Sequence, residues 1–295
     1  MKHVLAWVLI GLLWLLHWLP LGVQAALGRG LGWVLYKTAR SRRHVVQCNL
    51  ALCLPELSAA EREVLARAQF GYVARSLLER GVLWFASEAR LRRLIQVEGD
   101  VGLADRSDRP VMWLAPHFAG LEQAGMASRL YGERPAVNIY QVQSNPVFNA
   151  ALLRGRGRFG KALMFSRHDS VMPVVRAIRR GAPFFNPPDM DFGLKDAAFV
   201  PFFGVPAATL LAPARMARSL NMLVQPVVVQ MLPGGQGYKV RFLPPWHDFP
   251  GSDDDLAATA RINRWIEDEI RTMPAQYLWV HRRFKTRPEG EPPVY

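Results

Sequence analysis

The chain has 295 residues, half of them hydrophobic, and a formal charge of +13. That length holds one large α/β domain or two small ones, and the apolar content excludes a disordered protein. The charge points to an acidic partner, but the basic groups at 40–43, 154–158 and 281–285 come without a zinc-finger or RNA-recognition signature, so no nucleic-acid partner is expected.

Residues 4–16 are uncharged and contain Trp7 and Trp14, and the apolar character resumes after His17 as far as Val23. A helix over 4–23 would reach about 30 Å, the thickness of a bilayer's hydrocarbon core. Only Lys2 precedes it, whereas Arg29, Lys37, Arg40, Arg42 and Arg43 follow, a bias that puts the body of the protein in the cytoplasm. The reading is a single-pass membrane anchor. A cleaved signal peptide ending near Ala25 and a helix lying in the interface are its rivals. Residues 1–45 are then an anchor with a basic juxtamembrane segment, and 46–295 a catalytic domain. Cys48 and Cys53 lack the C-x-x-C spacing and are too few for a metal site, so they read as reduced thiols.

Ser58 and Glu61 form a capping-box signature that opens a helix running to about Leu83. Beyond Gly99, short apolar runs at 111–115, 136–142, 162–166, 183–186 and 222–230 alternate with helical patterns, which predicts an α/β sheet flanked by helices. Residues 238–243 read as a further strand at the sheet edge, and 253–273 as a final helix. No repeat or flexible linker interrupts the body.

The chemistry concentrates at a few strand ends. His117 and Glu122 sit where the 111–115 strand gives way to a helix, an address suited to a general base and its carboxylate. Chance alone supplies about 0.6 such His-x4-acid pairs at this composition, so the spacing needs support from context. Inside a regular helix the two side chains would point about 140° apart, so they meet only if His117 precedes the first turn. Arg167 projects past the 162–166 strand, where it suits a phosphate or a developing oxyanion. Asp189 and Asp191 follow the 183–186 strand; they read as metal ligands, as organisers of a cationic site, or as a strand terminus. Gly155, Gly157 and Gly160 fit the dinucleotide fingerprint formally, but they follow a helical pattern rather than a strand, so no nucleotide cofactor is expected.

Taken in order, these segments resemble the bacterial lipid A biosynthesis acyltransferases within the glycerolipid acyltransferase superfamily. His117 with Glu122 looks like the H-x4-D/E block, Phe165-Ser166-Arg167 the arginine block, and Asp189-Met190-Asp191 the Asp-rich block. Residues 199–204 with Ala208 and Thr209, Val224-Gln225-Pro226, and 276–285 match further family segments. Pro116 and Leu121 stand where the family often has Asn and an aromatic residue. The resemblance implies a mixed sheet flanked by helices, an acyl carrier protein thioester as donor, and an anionic lipid A precursor at a membrane as acceptor. It further implies His117 as base, Glu122 as its orienting carboxylate, substrate or oxyanion roles for Arg167, Asp189 and Asp191, and no cofactor or metal. Acylation of another phospholipid or glycolipid is the alternative, with a metal-dependent glycosyltransferase using Asp189 and Asp191, or a basic membrane scaffold, further off.

Overall fold

The computed structural model describes residues 2–160 and 162–295. Its first element corrects the expected anchor. The apolar run is not one helix but two, α1 (Lys2–Leu16) and α2 (Leu21–Thr38). Pro20 has no N–H to offer a preceding turn and disfavours helical backbone at Leu19, so α1 stops and α2 restarts with Pro20 as its N-cap. Arg90 fixes the turn by donating to the carbonyls of His17 and Leu19, the latter at 2.6 Å. At 15 residues α1 reaches only about 22 Å, and α2 carries Gln24, Arg29 and Lys37. Among the described residues no helix is long and apolar enough to cross a membrane, which overturns both the transmembrane element and the single-pass localisation. The apolar residues remain, and Val4, Leu5, Trp7, Trp14, Leu15 and Trp18 are exposed, Trp18 at 67%.

After α3 (Arg40–Cys53), the capping box forms as the sequence predicts: the Ser58 hydroxyl accepts from the Glu61 amide and the Glu61 carboxylate from the Ser58 amide, opening α4 (Ala59–Leu78). The helix expected to run to Leu83 breaks at Glu79, which is fully buried and accepts from Arg75 Nε and the Tyr238 hydroxyl, each at 2.8 Å. α5 (Arg80–Phe85) and α6 (Glu88–Leu94) complete this helical layer.

The sheet follows, with β1 (Ile95–Gly99), α7 (Leu103–Arg106), β2 (Val111–Leu114), α8 (Leu121–Tyr131), β3 (Ala136–Tyr140), α9 (Pro146–Arg156), β4 (Ala162–Ser166), α10 (Val171–Arg179) and β5 (Phe184–Asn186). A separate hairpin, β6 (Ala197–Phe202) and β7 (Val205–Leu210), precedes α11 (Ala212–Ser219), β8 (Leu223–Met231), β9 (Tyr238–Phe242) and α12 (Asp255–Thr272). The seven strands run β1-β9-β8-β2-β5-β3-β4, every neighbouring pair parallel except β8 with β9, so the sheet is mixed and flanked by helices. β2 is buried along its whole length, as a central parallel strand must be, with the Trp113 indole donating to Gln225 at 3.0 Å. β9 is not the edge strand expected; β1 covers it, and the polar Gln96 and Glu98 of β1 had hidden that short edge strand in the sequence. The hairpin turns at Phe203 and Gly204, both at positive φ as a tight two-residue loop requires. It is held to α12 by Asn263 donating to the Pro201 carbonyl and by Glu267 accepting from the Phe203 amide.

Candidate active site

β2 and β5 are parallel neighbours, and the Ala115 amide extends their pairing by bonding the Asn186 carbonyl at 3.0 Å. The segments after the two strands therefore leave at the same carboxyl edge of the sheet, where α/β folds gather ligands. His117 and Asp189 meet there across 72 residues of sequence. The His117 amide donates to Asp189 Oδ2 at 3.0 Å, and Nδ1 of the ring lies 2.7 Å from Oδ1. Asp189 is buried, which by itself would raise its pKa, but the His117 charge and its side-chain and backbone hydrogen bonds outweigh burial and hold the carboxyl at about 2. An ionised carboxylate can only accept, so Nδ1 is the nitrogen that donates to Asp189, which leaves Nε2 as the lone-pair nitrogen of the neutral tautomer.

The segment 276–286 clamps both loops. The Leu278 amide donates to the His117 carbonyl and the Ala119 amide to the Gln276 carbonyl, at 3.0 and 2.7 Å. Asp191 faces away from His117: its carboxylate accepts from the Gly193 amide, the Thr286 amide and the Thr286 hydroxyl, while its own amide donates to His281 Nε2 at 3.1 Å. Burial pushes the His281 pKa down to about 4, which keeps the ring neutral and able to accept that bond. Tyr277 lies buried beside Asp189, and burial together with that charge pushes its hydroxyl well above the ordinary range.

Glu122 stands elsewhere. α8 begins at Leu121, so the carboxylate occupies the first turn of the helix and is turned toward α9 and α5. It accepts from Arg156 Nε at 3.1 Å and from Arg156 Nη2, and Arg80 lies 3.9 Å away. Burial opposes its ionisation, but Arg156, Arg80 and Arg129 outweigh burial and hold it at about 2. No hydrogen bond or ion pair joins it to His117; among the described residues, Asp189 is the carboxylate that reaches the imidazole.

His117, Glu122 and Arg167 line one cavity of about 490 Å³, with Phe184, Phe185 and Met190 among its apolar walls. Arg167 follows β4 in an exposed loop, and its guanidinium lies 5.7 Å from the Phe192 ring centre. Asp189 supports the histidine from behind, and Asp191 does not line the cavity. A second cavity of about 460 Å³ between α2 and α4 has no histidine, cysteine, serine or carboxylate in its wall. Gly155 of the glycine pattern has a packing origin: a Cβ there would come within 2.2 Å of the Trp84 indole, so α9 needs glycine to accept that ring. Both carboxylates offered by the sequence as metal ligands are already engaged, and among the described residues no three His, Cys, Asp or Glu side chains converge.

Sequence reasoning passed over Arg80 and Arg129; it placed Arg156 in a basic loop suited to a phosphate or a carrier protein, and His281 in a basic C-terminal segment, without the pairings they make here. Arg129 carried a usable signal, since it lies seven positions after Glu122 on the same helical face. The pairing of Glu122 with Arg156 had none, because it depends on how α9 packs.

The protein-family model described as bacterial lipid A biosynthesis acyltransferase matches residues 1–286. The chain is 35% identical to the lipid A biosynthesis lauroyltransferase of Escherichia coli K12, covering 100% of this chain and 95% of that protein. It is 33% identical to the lipid A biosynthesis palmitoleoyltransferase of the same organism, again over 100% and 95% of the two chains. The E. coli lipid A biosynthesis myristoyltransferase is 28% identical over 91% of this chain and 82% of its own. With a match across nearly its whole length, the chain belongs to the bacterial lipid A biosynthesis acyltransferase family.

Proposed function

We propose that this chain transfers a fatty acyl group from the thioester of acyl carrier protein to a hydroxyl of a lipid A precursor, with His117 as general base and Asp189 as its orienting carboxylate. The observation that carries the reading is the His117–Asp189 pair at the edge of a partly apolar cavity, in a chain of this family. A hydroxyl is a poor nucleophile at neutral pH, so a base that removes its proton during attack accelerates the step by about 10²- to 10⁴-fold. Nε2 takes the proton as the hydroxyl oxygen bonds to the thioester carbonyl carbon. When the C–S bond breaks, the same proton passes to the departing sulfur and the carrier leaves as a free thiol. Asp189 steadies the imidazolium between the two transfers. Arg167, exposed at the cavity, is one cation available to the oxyanion or to a phosphate. Among the described residues no serine or cysteine lines the cavity, which favours direct transfer over an acyl-enzyme. In this reading Asp191 braces the loop that presents Asp189, and Glu122 fixes the arginines of the wall.

The test is incubation of the purified protein with acyl carrier protein thioesters of several chain lengths and a tetra-acylated lipid A precursor. A product heavier by one acyl group is expected, and its absence across all donors and acceptors, phospholipids included, would overturn the reading. The exposed apolar side chains of α1 and its following turn complement the acceptor's setting. We infer that this face seats in the lipid interface without crossing it, apolar area against acyl chains. Replacing Trp7 and Trp18 together by serine should reduce the fraction sedimenting with anionic phospholipid vesicles by about tenfold at an unchanged circular-dichroism spectrum. Undiminished sedimentation would show that another surface holds the protein to lipid.

A further inference from the structure

Arg129 is a buried cation with no hydrogen-bonded partner; Glu122 acts on it only through charge. It lies in the last turn of α8 at 4% exposure, and among the described residues its guanidinium makes no hydrogen bond and no ion pair. Its Nε is fully enclosed and unsatisfied, while the side chain contributes to the wall of the same cavity as His117. Such a group is costly to bury, because it has given up water for nothing in return.

The surroundings sharpen the contrast. Arg80, Arg129 and Arg156 gather around one carboxylate, Glu122, which is already committed to Arg156 and approached by Arg80. Burial lowers the pKa of Arg129 to about 10, Arg156 and Arg158 add to the fall, and Glu122 only partly opposes it, so the group stays charged at neutral pH. The helix makes room for it. A Cβ on Gly125 would lie 3.4 Å from Arg129 Nη1 and 3.9 Å from Nη2, so the side chain folds back over a glycine that also lines the cavity. A cationic wall with a single committed carboxylate suits an anion rich in acceptor oxygens, and a guanidinium matches the geometry of a phosphate ester.

We propose that Arg129, beside Arg156, forms a phosphate-binding subsite in the wall of the cavity, occupied by a phosphate ester of one of the two substrates. The inference rests on the reading of this cavity as the acyl-transfer site, and its source is either the acceptor's sugar phosphate or the phosphodiester of the donor's carrier arm.

The test separates binding from turnover. In thermal unfolding at constant ionic strength, 50 mM inorganic phosphate should raise the melting temperature of the wild type, and equally of His117→Ala, by about 2–3 °C. Arg129→Met should melt higher than the wild type without phosphate, since it removes an unpaired buried charge, and should show no phosphate response. Arg129→Lys should keep part of it. A structural role predicts the reverse: a lower melting temperature for Arg129→Met with the phosphate response intact, which would overturn the subsite. In steady-state assays Arg129→Met should raise KM by at least tenfold for one substrate and leave kcat and the other KM within about threefold. A rise confined to the acceptor, and lost with a dephosphorylated acceptor, assigns the acceptor's phosphate; a rise confined to the donor assigns the carrier arm. A fall in kcat with both KM values unchanged would overturn the proposal, because Arg129 would then act on the reacting carbonyl. Phosphate binding by His117→Ala keeps the subsite standing even if the acyl-transfer reading fails.

Discussion

His117→Ala is expected to lower kcat for acyl transfer by about 10³- to 10⁴-fold while leaving the fold intact, because it removes the acceptor of the hydroxyl proton and no neighbouring group can take its place. Asp191 is turned into the C-terminal segment, Glu122 is bound to Arg156, and His281 is committed to the Asp191 amide. Asp189→Asn should approach the same loss by another route. An amide in place of the carboxylate can present N–H to Nδ1, which drives the ring proton to Nε2 and leaves no lone pair for the substrate. Both variants should bind donor and acceptor with KM values within a few fold of the wild type, since neither side chain is needed to hold an acyl chain or a phosphate. The measurement is the rate of acylated product formation under saturating donor and acceptor, with circular dichroism to confirm folding. A His117→Ala protein retaining more than a tenth of wild-type kcat would remove the base from the mechanism.

The sheet was legible because its strands are short apolar runs separated by helical periodicity, and the runs at 111–115, 162–166 and 183–186 all became strands at nearly those bounds. The edge was missed although Ile95-Gln96-Val97-Glu98 alternates at the strand period, because the run is short and follows directly on α6. The N-terminal helix failed for a different reason. Summed hydrophobicity over 4–23 reads as a span, but a proline at position 20 decides the backbone, and a window average does not weigh one residue's missing N–H. Of the site, the sequence showed which residues occur at strand ends but not which strands are neighbours. Asp189 reaches His117 only because β5, fifth in the chain, inserts beside β2. Glu122, five residues from the histidine, was the nearer carboxylate in sequence and the farther one in hydrogen bonding.

Glu122→Gln therefore separates two roles that sequence proximity runs together. The substitution keeps the shape of the side chain and removes its charge, leaving Arg156, Arg80 and Arg129 without a counter-ion. The carboxyl is held at about 2 in the folded protein against an ordinary 4.5. Such a difference corresponds to about 3 kcal/mol of folding stability at pH 7, reduced to roughly 2–3 kcal/mol by the partial solvent access of the side chain. The sign is fixed by the direction of the shift. A carboxyl depressed in the folded state stabilises fully above pH 4.5, loses that contribution as pH falls, and contributes nothing below about 2. Glu122→Gln should accordingly melt roughly 4–8 °C below the wild type at pH 7, with the gap narrowing from pH 4.5 downward. Its kcat, assayed below the melting transition, should fall by less than about tenfold, against the far larger loss expected of Asp189→Asn. The opposite pattern, an unchanged melting temperature with kcat down a thousandfold, would mean that Glu122 orients His117 during turnover despite facing Arg156 in this structure. Arg129→Met should stabilise the Glu122→Gln protein by more than it stabilises the wild type, because the carboxylate that partly offsets the Arg129 charge is gone, and a purely additive pair would deny that the two side chains share a field.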